Sequence, residues 1–371
     1  MASRTAPPFR ADHVGSLLRP ASLKEARARR ERGEITPEDL RSLEDAAIER
    51  LIAQQAATGL RSATDGEFRR AMWHFDFLEK LEGVESFRSD HGIAFRGGME
   101  TAPKGLRVTG KIRFDGHPML DHFRFLREHA APGVTPKMTI PSPSVLHFRG
   151  GRQAIDPAIY PDMEEFYHDL AQAYRGAVQA FAEAGCRYLQ LDEVNLAYLC
   201  DAEQRQRLAE RGDDPDRLPA IYARMINTAI ADRPADMTIT MHLCRGNFRS
   251  SWIAQGGYEP VAEILFQQIG VNGYFMEFDT ERAGGFEPLR LVPKNKQVVL
   301  GLVTSKSGAL ESAEELERRI HSAARHVDLD QLCLSPQCGF ASTEEGNVLS
   351  EEEQWAKLRR IVEVAERVWG A

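Results

Sequence analysis

Apolar positions along the chain gather into short, dense runs separated by stretches whose apolar residues recur at helical spacing. In order, the runs are HVGS, ATDGE, KMTIPSP, YLQLDE, TITMHLC, YFMEFD, VVLGLVTS and QLCLSP. Their length and density predict buried strands. The segment MEEFYHDLAQAYRGAVQAFAEAG carries apolar residues near i, i+3 and i+4, with Gly185 placed to end a helix. Further helices are predicted within 202–232, around YEPVAEILFQQ, over SAEELERRIHSAARHV and over the closing SEEEQWAKLRRIVEVAERVWG. Strands alternating with helices predict parallel βαβ units. Eight of them predict an α/β chain folded as a single (β/α)8 TIM barrel, with residues 1–371 as one domain. A doubly wound open sheet is the fallback. Two excursions interrupt the rhythm. One is N-terminal and helical, SLKEARARRERGEITPEDLRSLEDAAIERLIAQQAATGL, broken near Gly33 and Pro37, with charges that read as a solvated face. The other is a β-excursion near 100–115, KGLRVTGKIRF.

Composition narrows the function classes. The chain has 371 residues, 42% hydrophobic and 27% charged, an ordinary globular balance. No apolar run approaches the roughly 18 residues of a membrane span. The N-terminal MASRTAPPFRADHVGS lacks the apolar core of a secretory signal. Cytoplasm is therefore the expected compartment. A net charge of −8 argues against a nucleic-acid partner, which calls for a basic face. The five cysteines, Cys186, Cys200, Cys244, Cys333 and Cys338, contain no CxxC pair. Such an odd, sparse set predicts reduced thiols available for metal binding or catalysis.

Polar residues cluster at the predicted C-terminal strand ends, where a barrel keeps its active site. They are His13 and Ser16; Asp65 and Glu67; Asp192, Glu193 and Asn195; His242 and Cys244; Glu277 and Asp279; Thr304 and Lys306; and Cys338. Any one of them alone reads as a cap or a core polar group, so the pattern carries the weight. His242 and Cys244 are two apart where a strand stops, and side chains at i and i+2 share a face. With Glu277 and Cys338 from neighbouring strands they form a Cys2HisGlu set suited to four-coordinate Zn2+. Ligands scattered over several strands suit catalysis better than local stapling, and a zinc-bound thiol is deprotonated at neutral pH. Glu67 and Asp192 at the same mouth suit an ammonium group, as on an amino acid, and the loop amides of HVGS suit its carboxylate.

The blocks HVGSLLRP, TDGEFRR, QLDEVN, HLCRGNFRS, FMEFDTER, LGLVTSKSG and LSPQCGFAST stand in this order along nearly the whole chain. Together they resemble the catalytic, C-terminal half of cobalamin-independent methionine synthase, above all its short single-barrel members of the methyltetrahydropteroyltriglutamate–homocysteine methyltransferase-like kind. The resemblance implies zinc on His242, Cys244, Glu277 and Cys338. It implies homocysteine held through its amino group by Glu67 and Asp192, with Ser16 near its carboxylate, and methylation of the thiol to give methionine. It is looser in two places. The synthases carry a further N-terminal barrel that helps bind polyglutamylated folate and has no counterpart here, which leaves open whether the donor is methyl-folate or another methylated compound. Where they read VYDIHS, with a histidine that protonates the leaving group, this chain reads LVTSKS, so Lys306 stands as the candidate acid or anion-binding group. Trp73 and Trp252 are candidate stacking partners for a pterin by residue type alone. Three other readings remain at this stage: an alkyltransferase using another thiol, similar to epoxyalkane–coenzyme M transferase; a non-catalytic zinc-stabilised barrel; and a metal-free barrel decarboxylase of the uroporphyrinogen type.

Overall fold

The computed structural model describes residues 4–370. Six strands form one parallel sheet in chain order: Met138–Pro141, Tyr188–Glu193, Thr238–Leu243, Gly273–Glu277, Gln297–Val303 and Leu332–Pro336. The register sets Asp192 beside His242 and Glu277 beside Gly301, so the polar strand ends come level. These strands are buried along nearly their whole length, as expected for parallel strands covered on both faces. Helices Met163–Glu183, Leu218–Ile230, Ala313–Ala323 and Glu351–Trp369 lie between or after them. In Met163–Glu183 the apolar positions Phe166, Leu170, Tyr174, Ala177 and Phe181 are all buried, and Gly185 beyond its end has φ +95°. The predicted helical region 202–232 divides into Ala202–Glu210 and Leu218–Ile230.

The first two predicted strands are shorter than expected. Ala11 makes one parallel bridge to Leu334, through Asp12 N–H to Leu334 O (3.0 Å) and Leu334 N–H to Arg10 O (2.8 Å). Ser62–Ala63 pairs in parallel with Thr135–Pro136, which leads into Met138–Pro141. Between these two N-terminal segments no ladder forms. Thr64 Oγ1 donates to Gly15 O (2.6 Å), Leu17 N–H to Gly66 O (3.1 Å) and Ser62 Oγ to Asp12 Oδ1 (2.9 Å). The cause is local: Gly15 (φ +138°), Gly66 (φ +65°) and Glu67 (φ +62°) all leave the extended region a ladder requires. Polar contacts thus join the segments where the pattern predicted strands.

The N-terminal excursion is the pair of helices Ala21–Glu31 and Pro37–Ala57, the second begun by Thr36, whose hydroxyl and Asp39 cap each other. The β-excursion starts earlier than expected, with Glu82–Phe87 pairing antiparallel with Gly105–Arg113. Its tip reaches the loop after Thr238–Leu243: Arg96 N–H donates to Trp252 O (2.8 Å), and the Phe95 and Phe248 rings lie 5.3 Å apart. Among the described residues no helix is long and apolar enough to cross a membrane.

Candidate metal and thiol site

At the C-terminal ends of three strands, one nitrogen of His242, the Cys244 and Cys338 sulfurs and one Glu277 oxygen all lie within 4.8 Å of one another, and all four residues are buried. The two sulfurs are 3.5 Å apart. Gly246 N–H donates to Cys244 Sγ (3.2 Å). Glu277 Oε1 accepts from Arg245 N–H (2.8 Å), and its Oε2 from the Arg282 guanidinium (3.2 Å). Burial alone would raise the Glu277 carboxyl, but Arg282, Lys306 and Arg245 outweigh it and hold the group below its ordinary value.

The protons of this cluster are shared unequally. A hydrogen bond from Cys244, and His242 beside it, bring the Cys338 thiol down to about 5 against the effect of burial. The hydrogen bond to Cys338, with burial, drives Cys244 well above the ordinary thiol value. For His242, burial pulls downward but is overcome by Asp192 and Cys338, which raise it to about 10. Within the cluster, His242 and Cys244 hold their protons more tightly than Cys338 and Glu277 do. A divalent cation held by these four residues would take the place of the protons on His242 and Cys244, as metal binding does at such donors.

A cavity of about 580 Å³ opens over this cluster and is lined by Ser16, Glu67, Asp192, His242, Cys244 and Cys338, among others. Glu67 Oε1 accepts from Thr139 Oγ1 (2.8 Å) and faces Arg70 (3.3 Å). Asp192 Oδ1 accepts from Gln190 Nε2 (2.7 Å) and lies 3.4 Å from His242 Nδ1. Each carboxylate thus has one oxygen fixed, and neither Glu67 Oε2 nor Asp192 Oδ2 makes a hydrogen bond to the described residues. Glu67 also keeps a left-handed backbone (φ +62°), a strained conformation that the surrounding contacts must hold. Burial, with Arg70 opposing and Asp192 adding, raises its carboxyl to about 7. Ser16 Oγ accepts from Ala341 N–H (3.4 Å) in the loop that follows Cys338.

Lys306 is not among the residues that line this cavity. Its Nζ donates to Gly246 O (3.2 Å), Asn247 Oδ1 (3.2 Å) and Ser251 O (3.5 Å), which ties it to the loop after Cys244. Trp73 lines the cavity, whereas Trp252 lies under the Arg282 guanidinium (5.2 Å). Sequence reasoning did not reach Thr139, Gln190, Arg245 or Arg282, which hold the carboxylates. Nothing in their spacing distinguishes them from ordinary strand and loop residues.

The mouth of the β/α fold thus holds a buried Cys2HisGlu cluster beside two half-satisfied carboxylates. Residues 149–367 match the model of the cobalamin-independent synthase catalytic domain. The chain is 54% identical to the uncharacterized Bacillus subtilis protein YxjH over 98% of its length and 95% of that protein. It is 23% identical to a methionine synthase of Pyrococcus furiosus, over 96% of this chain and 91% of that one. A Listeria monocytogenes structure, solved as a candidate vitamin-B12-independent methionine synthase, superposes with TM-score 0.80 at 43% identity, covering 99% of both chains. The chain belongs to the cobalamin-independent methionine synthase family, methyltransferases built on the TIM barrel.

Proposed function

We propose that this protein is a zinc-dependent methyltransferase that moves a methyl group onto the thiol of homocysteine to give methionine. The observation that carries the reading is the convergence of His242, Cys244, Glu277 and Cys338 within 4.8 Å under a cavity that also presents Glu67 and Asp192. The donor set suits zinc, since one imidazole, two sulfurs and one carboxylate match its ligand preferences. A zinc ion held there supplies a deprotonated, nucleophilic substrate thiol at neutral pH.

The protein's own groups do the rest. Asp192 Oδ1 facing His242 Nδ1 (3.4 Å) orients the imidazole so that Nε2, 3.3 Å from Gln337 O, is the nitrogen that would meet the metal. The spare oxygens of Glu67 and Asp192 grip the ammonium of the amino acid, and Ser16 with its loop amides faces the carboxylate. The substrate sulfur attacks the methyl carbon in line, and the bonding pair leaves with the donor, methyl-folate or another methylated compound. Lys306 is assigned to the donor's side, where its positive charge favours the departing group. Lys306→Met is expected to lower kcat about 10- to 100-fold, the scale of a lost acid or electrostatic group, with homocysteine affinity unchanged. A change confined to homocysteine KM would remove that role.

The five cysteines are free, in keeping with a reducing, cytoplasmic setting. One hydrophobic cluster runs from Leu17 to Trp369, which supports residues 1–371 working as one barrel domain. Exchange of the thiol tests the substrate. Zinc-loaded protein with a methyl donor is expected to methylate homocysteine and to leave coenzyme M, which has no ammonium for Glu67 and Asp192, unreacted. Turnover of the sulfonate thiol alone would overturn the assignment.

A further inference from the structure

The same cavity carries a second polar set that the thiol chemistry does not use. His74 is fully buried between the rings of Trp73 (4.5 Å) and Phe75 (4.2 Å), and it lines the cavity with neither ring nitrogen hydrogen-bonded. Burial, with Arg149 and Lys104 nearby, holds its imidazole well below the ordinary value, so it is neutral and has one N–H to donate. Lys104 is itself matched by Glu79 (2.6 Å). Arg149 extends from the short helix Ser144–Gly150 into the cavity wall, half-buried, with its Nε shielded from solvent and unpartnered. Its Cζ lies 5.8 Å from the Tyr198 ring centroid.

No carboxylate among the described residues neutralises Arg149. Arg149 and Tyr198 also line an adjoining groove, whose other arginines are matched: Arg207 by Glu203 (2.5 Å) and Arg211 by Asp213 (2.5 Å). A buried polar group without a partner costs free energy, and one that faces a cavity is placed to be completed by a ligand. A guanidinium with no carboxylate partner, lining one cavity with a neutral N–H donor, matches a planar, singly charged oxyanion better than a dianion, because no second unmatched cation is at hand. The nearby walls are apolar: Trp73, Ile93 and Phe95.

We propose that Arg149 and His74 form a carboxylate-binding subsite for the second substrate, the methyl donor, whose apolar or aromatic body lies along Trp73, Ile93 and Phe95. The assignment to the donor rests on the methyltransferase reading above; the subsite itself does not. The donor this enzyme accepts therefore bears a carboxylate.

Calorimetric titration of the full chain with benzoate, with its uncharged counterpart benzamide and with homocysteine tests this. Benzoate is expected to bind the wild type, to bind about tenfold or more weakly to Arg149→Met, in line with loss of a charge-assisted pair, and to bind with homocysteine already present. Benzamide is expected to bind weakly and equally to both. Arg149→Lys keeps the charge without the two-pronged geometry and is expected to fall between, which guards against a variant that simply unfolds. Equal benzoate affinity in wild type and Arg149→Met would overturn the subsite. Competition between benzoate and homocysteine would also overturn the assignment, because Arg149 would then hold the thiol's own carboxylate. Arg149-dependent benzoate binding without any homocysteine binding would support the subsite and sink the methyltransferase reading.

Discussion

Cys338→Ser is expected to abolish methyl transfer while leaving the barrel folded. Cys338 is the thiol that its neighbours bring down to about 5, so it is the sulfur of the cluster that most readily gives a thiolate ligand. A serine hydroxyl in its place stays protonated and offers a poor, neutral donor to a borderline-soft ion. Loss of metal removes several kcal/mol of catalytic stabilisation, so kcat/KM is expected to fall by about a thousandfold or more. The fold has little to lose. Cys338 lies beyond the end of Leu332–Pro336, outside the sheet ladder, and oxygen replaces sulfur with little change in volume. The metal-free thermal midpoints of variant and wild type are expected to agree within a few degrees, since surrounding packing is kept. Zinc content by elemental analysis, turnover and a melting curve together check this. Wild-type turnover in the serine variant would take Cys338 out of the metal shell.

Glu67→Gln is expected to raise the homocysteine KM ten- to a hundredfold. Only one Glu67 oxygen is held, by Thr139 and Arg70, and the other is left for the substrate ammonium. A hydrogen bond to a charged group contributes about 1.5–3 kcal/mol, and glutamine keeps the shape while removing the charge. The pH dependence gives a sharper sign. Burial, opposed by Arg70 and aided by Asp192, raises the Glu67 carboxyl to about 7 in the free protein. Above that pH the group is a carboxylate and grips the ammonium; below it the group is neutral. Wild-type homocysteine affinity should therefore fall as pH drops through about 7, and the glutamine variant should lack that inflection. Kinetics indistinguishable from wild type at every pH would remove Glu67 from substrate recognition.

The parts of the fold and site that could be read from sequence share a physical cause. The six sheet strands are buried on both faces, so they appear as short, mostly apolar runs, and the helices between them carry a one-sided stripe. HVGS and ATDGE misled as strands. Each holds only one aliphatic residue, Gly15, Gly66 and Glu67 turn the chain, and side-chain bonds from Ser62 and Thr64 replace the ladder. The His242–Cys244 pair was legible because period-two alternation at a strand end fixes both side chains on one face. Glu277 and Cys338 became legible once the strand order was assumed. The supporting contacts were not. Thr139 reaches Glu67 from 72 residues away, and Arg282 and Arg245 hold Glu277 through loop geometry that no spacing rule encodes. His74 and Arg149 escaped for the same reason: they are distant in sequence, and only the fold brings both to the wall of one cavity.

Zinc X-ray absorption on the purified protein, with and without homocysteine, tests the central claim most directly. Two sulfur neighbours per zinc, matching Cys244 and Cys338, should become three when homocysteine is added. A zinc shell unchanged by homocysteine, or protein prepared without chelator that contains no zinc, would contradict thiol activation at this site.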